Sequence, residues 1–129
     1  MSPAHALGPS AHTDTFARDN LPSPEDQPVY LLDDFQYPEY LNAGVELTDR
    51  MVEKGFGDNV ALVGNGRQRT YKELADWTNR IAHALVEDFG VKPGNRILIR
   101  SANNPAKVAC WLAATKVGAV VVNTMPLLR

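Results

Sequence analysis

A chain of 129 residues has room for one domain at most. Its composition, 44% hydrophobic and 22% charged, is that of an ordinary globular protein. A net charge of −2 gives no overall polybasic signal for nucleic acid or for an anionic membrane surface.

Met1 to Thr13 has neither a basic leader region nor an apolar core, so it does not read as a secretory signal. No apolar run approaches the roughly 18–20 residues that a membrane span needs, and the cytoplasm is the expected compartment. The charge is unevenly placed. Residues 1–64 hold eleven Asp and Glu against three Lys and Arg, whereas residues 65–129 hold four against ten. We read this as an acidic leader lying on a basic surface of the same protein, since charge runs are usually solvated faces. The alternative is a basic face near phosphate-bearing ligands.

In chain order, residues 1–36 form an extended, acidic, Pro-rich arm. Pro3, Pro9, Pro22, Pro24 and Pro28 fall in its first 28 residues, with too few large apolar side chains to offset the entropy of ordering. Phe16 and Leu21-Pro22 are candidate docking points on a larger body. His5 and His12 lie in this arm, and no metal-ligating constellation accompanies them.

Residues 37–129 read as an α/β unit. Tyr40, Leu41, Gly44, Leu47, Thr48, Met51 and Val52 recur at helical spacing after Asn42, a candidate cap, and Gly55 to Asn59 stops that helix. Val60 to Val63 and Gln68 to Thr70 flank Gly64-Asn65-Gly66-Arg67. Asn-Gly between short strands predicts a hairpin, because both residues tolerate positive φ. A phosphate cradle is the weaker reading: the loop is not GxGxxG and lacks a GK[ST].

Thr70 and Glu73 make a capping box at the start of a helix whose apolar face is Tyr71, Leu74, Ala75, Thr78, Ile81, Ala82 and Leu85. His83 lies on this helix without a ligand-spaced partner, and Gly90 stops it. Arg96 to Arg100 is a strand with Ile97 and Ile99 on one face and Leu98 on the other. Asn104 and Pro105 start the next helix. It runs to Val117 through Val108, Ala109, Leu112, Ala113 and Lys116, and Gly118 closes it.

Cys110, the single cysteine, rules out an internal disulfide and reads as a buried structural thiol. Ala119 to Asn123 is a second strand. Its continuous apolar run predicts cover on both faces and strands on both edges. Helix, strand, helix, strand from Thr70 to Asn123 predicts parallel strands with two crossover helices. Thr124 to Arg129 follows without an evident packing partner, so we expect an incomplete subdomain.

Two stretches of this unit resemble a known superfamily. Thr70-Tyr71-Lys72-Glu73-Leu74 is similar to the first core motif of the adenylate-forming enzymes, which include acyl-CoA synthetases, luciferases and peptide-synthetase adenylation domains. Ala114-Thr115-Lys116-Val117-Gly118-Ala119-Val120-Val121-Val122 resembles the second, and their order and separation also agree. Asp14 to Pro22, Gln36 to Glu39, Asn79 to His83, Ala109 to Ala113 and Thr124 to Arg129 look like benzoate and 2-aminobenzoate CoA ligases.

The resemblance implies the N-terminal part of the adenylate-forming ligase fold. It implies a parent enzyme that joins an aryl carboxylate to CoA through an acyl-adenylate, using ATP, Mg²⁺ and CoA. It leaves room for a homodimeric parent. The family's phosphate loop, aryl pocket, ribose-binding Asp and catalytic Lys come later than the motifs seen here. No catalytic, cofactor-binding or metal residue is therefore carried onto this sequence, no cofactor is expected on this chain alone, and its partner is the remainder of the ligase. Lys116 lies in the second motif, where its place at a helix end suggests a role against the last carbonyls. A non-catalytic interaction module remains the alternative of a different class. A small Rossmann-like nucleotide binder lacks its glycine turn and acidic residue.

Overall fold

The computed structural model describes residues 9–28 and 37–127. His5, Gln36, Leu128 and Arg129, with residues 1–8 and 29–36 of the arm, lie outside the described residues.

Helix α5 (Pro105–Lys116) is the element on which the others pack; the arm's helical turn and two short helices before the hairpin take the labels α1 to α3 below. Asn104 Oδ1 accepts from Lys107 N at 2.9 Å, and Pro105 occupies a first-turn position where no amide partner is needed. The helix is mostly apolar because much of its surface is covered by neighbouring elements. Ala109, Ala113 and Ala114 are fully buried, and their small side chains let neighbouring backbones come close.

On one side of α5 lie β3 (Arg96–Arg100) and β4 (Val120–Thr124), paired in parallel with Arg96 opposite Val120 and Arg100 opposite Thr124. Helix α5 is their crossover. Ile97 and Ile99 are half-buried while Leu98 is 66% exposed, so the expected division of faces is observed. The expected cover of β4 on both faces and both edges is not. Among the described residues this sheet has two strands, and Val122 on β4 is 43% exposed.

On the other side lies α4 (Tyr71–Glu87). Its N-terminus is held by the expected capping box: Thr70 Oγ1 accepts from Glu73 N at 3.2 Å and Glu73 Oε2 accepts from Thr70 N at 2.9 Å. Leu74, Ala75, Thr78 and Ala82 of its predicted face are buried. The role expected for α4 needs correction, because among the described residues it does not cross over between paired strands. It joins the hairpin to β3, which lies in a different sheet, and packs on α5 instead. Leu74, Ala109 and Leu112 form the core between these helices, with Ala61, Leu62, Trp77, Ile81 and Val108 against them.

The hairpin is β1 (Val60–Gly64) and β2 (Arg67–Thr70), antiparallel, with a register irregularity between Val60 and Leu62. Asn65 (φ 53°) and Gly66 (φ 70°) both take the left-handed region, which matches the twist of the strands. Gly64 lies so close to Pro105 that a Cβ there would stand 2.7 Å from the ring, seating the hairpin at the start of α5.

One continuous helix was expected across residues 40–52. The chain forms α2 (Ala43–Glu46) and α3 (Asp49–Met51) instead, and a wide helical turn over Val52–Phe56 is interrupted at Gly55, φ 88°. The break falls at Thr48 (φ −130°, ψ −81°), which is fully buried. Its hydroxyl bonds Gly44 O at 2.6 Å and Asp49 Oδ2 at 2.9 Å, and these local bonds compete with a continuous ladder. Buried Gly44 is the point where α2 meets α5. A Cβ there would sit 2.6 Å from Leu112 O and 2.9 Å from Lys116 N.

The described part of the arm contains one helical turn, α1 (Phe16–Asp19), and a 3-10 turn at Pro24–Asp26. Thr13 N and Asp14 N both donate to Pro93 O at 3.0 Å, and the Phe16 ring lies 4.6 Å from the Arg96 guanidinium carbon.

Candidate functional site

The most connected group of polar side chains gathers where α2, α3, α4 and α5 converge. Lys116 Nζ stands 2.6 Å from Asp49 Oδ2 and donates to Asn79 Oδ1 at 2.7 Å. Asn79 Nδ2 donates to Asp49 Oδ1 at 3.2 Å, and the Thr48 hydroxyl completes the ring. The Lys116 side chain is only 6% exposed and the Asp49 carboxylate 32%. Burial alone would raise the Asp49 pKa. Hydrogen bonds from Lys116, Thr48 and Asn79, with the Lys116 charge, outweigh it and hold the carboxyl below its ordinary value.

This geometry revises the expected role of Lys116. Its ammonium does not meet the last carbonyls of its own helix. Asn42 does so: Nδ2 donates to Lys116 O at 3.0 Å while Oδ1 accepts from Val45 N at 3.2 Å, capping α2. One side chain thus serves the end of one helix and the start of another. The Lys116 ammonium and carbonyl are both engaged in holding elements together.

Beside this cluster runs an open groove of about 590 Å³, walled by Pro9 and His12 of the arm, by Tyr40 and Asn42, and by Pro93 and Val117 at the α5–β4 junction. Ser10, Glu39 and Thr115 also line it. Cys110 was expected to be buried; it is half-buried, beside Trp111, itself 43% exposed. His83 is exposed on α4, and no group of three potential metal ligands occurs among the described residues.

The described residues do not fit a phosphate cradle either. Asn65-Gly66 is a hairpin turn. The α4 N-terminus is occupied by the Glu73 carboxylate, whose charge repels an anion. Glu73 is held below the ordinary Glu pKa by the Thr70 backbone N–H first and by the Arg67 hydrogen bond second. The first turn of α5 is closed by Asn104. No helix of the described residues is long and apolar enough to cross a membrane. Asn79 opens one of the stretches that carry the resemblance, but nothing in the sequence marked it or Asp49 as a partner of Lys116, because each reads alone as a solvated helix residue. Only the meeting of three helices makes them partners of Lys116.

Residues 49–129 match the family of AMP-binding enzymes. The chain is 36% identical over 87 residues to a 3-hydroxybenzoate–CoA/4-hydroxybenzoate–CoA ligase of Thauera aromatica, covering 67% of this chain and 16% of the relative. It is 38% identical over 84 residues to an acetyl-coenzyme A synthetase of Streptomyces avermitilis, covering 61% and 13%. Among solved structures it is similar to the N-terminal subdomain of Klebsiella oxytoca NpsA in complex with 3-hydroxybenzoyl-AMSN. The TM-score is 0.61 and the identity 29%, over 69% of this chain and 22% of that one. The fold is also that of the anthranilate CoA ligase AuaEII, with a TM-score of 0.63 at 23% identity over 72% and 17% of the two chains. The chain therefore spans about a sixth or less of the length of these curated relatives. With the α5-centred unit, the capping box at Thr70 and the Lys116 turn all inside the matched region, this chain belongs to the AMP-binding enzyme family.

Proposed function

We propose that this chain is the N-terminal scaffold of a cytoplasmic, AMP-forming aryl-CoA ligase. Such an enzyme, with ATP and Mg²⁺, activates an aryl carboxylate as its acyl-adenylate and transfers the acyl group to CoA. The observation that carries the reading is the family match over residues 49–129, joined to the likeness to hydroxybenzoate ligases and to a subdomain bound to a hydroxybenzoyl-adenylate analogue. The Asp49–Lys116–Asn79 cluster supports a scaffolding role, since it locks helices and exposes no reactive group. The division we adopt is an arm over residues 1–36 and an α/β subdomain over 37–129, with no catalytic residue assigned to either.

Pyrophosphate exchange tests this directly. The 129-residue chain alone is expected to show no exchange with ATP and any acid. The same chain continuous with the rest of its ligase is expected to exchange fastest with benzoate, 3-hydroxybenzoate or 2-aminobenzoate. The acetyl-coenzyme A synthetase relatives favour a second reading, a short aliphatic acid, and acetate belongs in the panel for that reason. Exchange by the isolated chain, or none with any aryl acid by the longer one, refutes the proposal.

A further inference from the structure

The contact between the arm and the Pro93–Arg96 turn has the parts of a fastener. It combines a backbone contact, a charged contact and a ring contact on one side of the turn. Pro93 O accepts two amide bonds, from Thr13 N and Asp14 N, both at 3.0 Å, and one from the Thr13 hydroxyl at 3.2 Å. The Asp14 carboxylate accepts from Asn95 Nδ2 at 2.8 Å and from Arg96 Nη1 at 2.5 Å. The Phe16 ring lies against the same guanidinium.

The turn has a matching recess. Gly94 is buried, with φ 94°, and its missing side chain makes room for the Asp14 carbonyl group; a Cβ there would collide with it and stand 3.1 Å from the His12 side chain. The turn is also joined to the end of the second family motif. Gly94 N donates to Gly118 O, and Val120 N donates to Asn95 O, both at 2.8 Å. A chain fastened at Gly94 therefore touches the turn that leads from α5 into β4.

We propose that Thr13–Phe16 is a strap that latches the arm to the Pro93–Arg96 turn, and that its release opens the groove at the α5–β4 junction. Residues 9–12 precede the latch and form one wall of that groove, so unfastening frees the wall while the helical core stays intact. The inference rests on local geometry and stands apart from the proposed ligase activity. The strap is detachable because its side-chain partners are partly solvated: Asp14 is 26% exposed, Arg96 40% and Phe16 58%. Regions held by few buried apolar contacts open independently of the core.

Hydrogen exchange of the 129-residue polypeptide, read by mass spectrometry, tests this. In the unsubstituted chain the amides of Thr13 and Asp14 are expected to be protected. Asp14→Asn and Arg96→Ala should each speed their exchange about tenfold, the effect of losing one charge-assisted hydrogen bond, with α4 and α5 unchanged. The swap Asp14→Arg with Arg96→Asp should restore part of the protection. Gly94→Ala should expel the strap outright, but it also strains the turn, so the charge variants carry the test. Unprotected amides at 13 and 14 in the parent chain would overturn the proposal, as would protection that survives both charge variants. Loosening of α4 and α5 along with the arm would overturn it too, since the contact would then be part of the core fold.

Discussion

Lys116 Nζ lies 2.6 Å from Asp49 Oδ2, so the last turn of α5 is tied to α3 through a charge pair that is nearly closed to solvent on the lysine side. Removing one member of a buried pair leaves the other uncompensated. Lys116→Met is therefore expected to destabilise the chain by about 2 kcal/mol, below the fully buried range because Asp49 keeps Thr48, Asn79 and some water. Urea unfolding should show a lower midpoint with an unchanged slope. Asp49→Asn combined with Lys116→Met should cost less than the two separately. In the longer ligase, the same Lys116→Met change should leave pyrophosphate exchange per folded molecule unaltered, since this ammonium ties helices together.

The same pair sets a pH dependence whose sign follows from Asp49. Its folded pKa is lowered, so between the folded value and the ordinary Asp value of about 3.9 the unfolded chain binds more protons. The stabilisation is complete above that ordinary value and is lost as pH falls through the folded one. Urea midpoints measured from neutral pH to pH 3 should fall more steeply below pH 4 for the parent chain than for Asp49→Asn.

Gly44 and Gly66 separate two reasons for glycine. At Gly44 a methyl group would meet backbone atoms of α5, Leu112 O at 2.6 Å and Lys116 N at 2.9 Å, and backbone cannot step aside cheaply. At Gly66 nothing lies within reach, and only the positive φ opposes a side chain. Gly44→Ala should cost about 1–3 kcal/mol as overpacking, and Gly66→Ala about 1–2 kcal/mol as left-handed strain. Thermal unfolding should place the Gly44 variant lower. It should also lose the α2–α5 contact, visible as faster amide exchange in residues 43–48.

The Thr70 cap offers a milder test. Thr70→Ala removes the acceptor for Glu73 N and should cost about 1 kcal/mol. Thr70→Ser keeps the oxygen and should recover most of that loss. Helical circular dichroism during denaturant titration reads both.

The parts legible in the sequence are those decided by near neighbours. Thr70 and Glu73 are three residues apart, and that spacing alone prescribes a capping box. Asn65-Gly66 prescribes its turn for the same reason, and Asn104-Pro105 the start of α5. The continuous helix expected over residues 40–52 failed because Thr48 spends its hydroxyl on Gly44 O and Asp49. Periodicity records where apolar side chains recur, and it does not see a buried hydroxyl breaking the ladder. The parallel pairing of β3 and β4 follows from the order of elements, but that order does not say which strands share a sheet, and among the described residues α4 joins two different ones.

Sequence alone thus determined the local signals and the two family motifs, because caps, turns and motif residues act over three or four positions. Tertiary structure decided that Lys116 answers Asp49 and Asn79, that Asn42 closes the end of α5, and that Asp14 reaches Arg96. Those partners are separated by tens of residues, and only the packing of helices and turns at van der Waals distance brings their charges and carbonyls within hydrogen-bond reach.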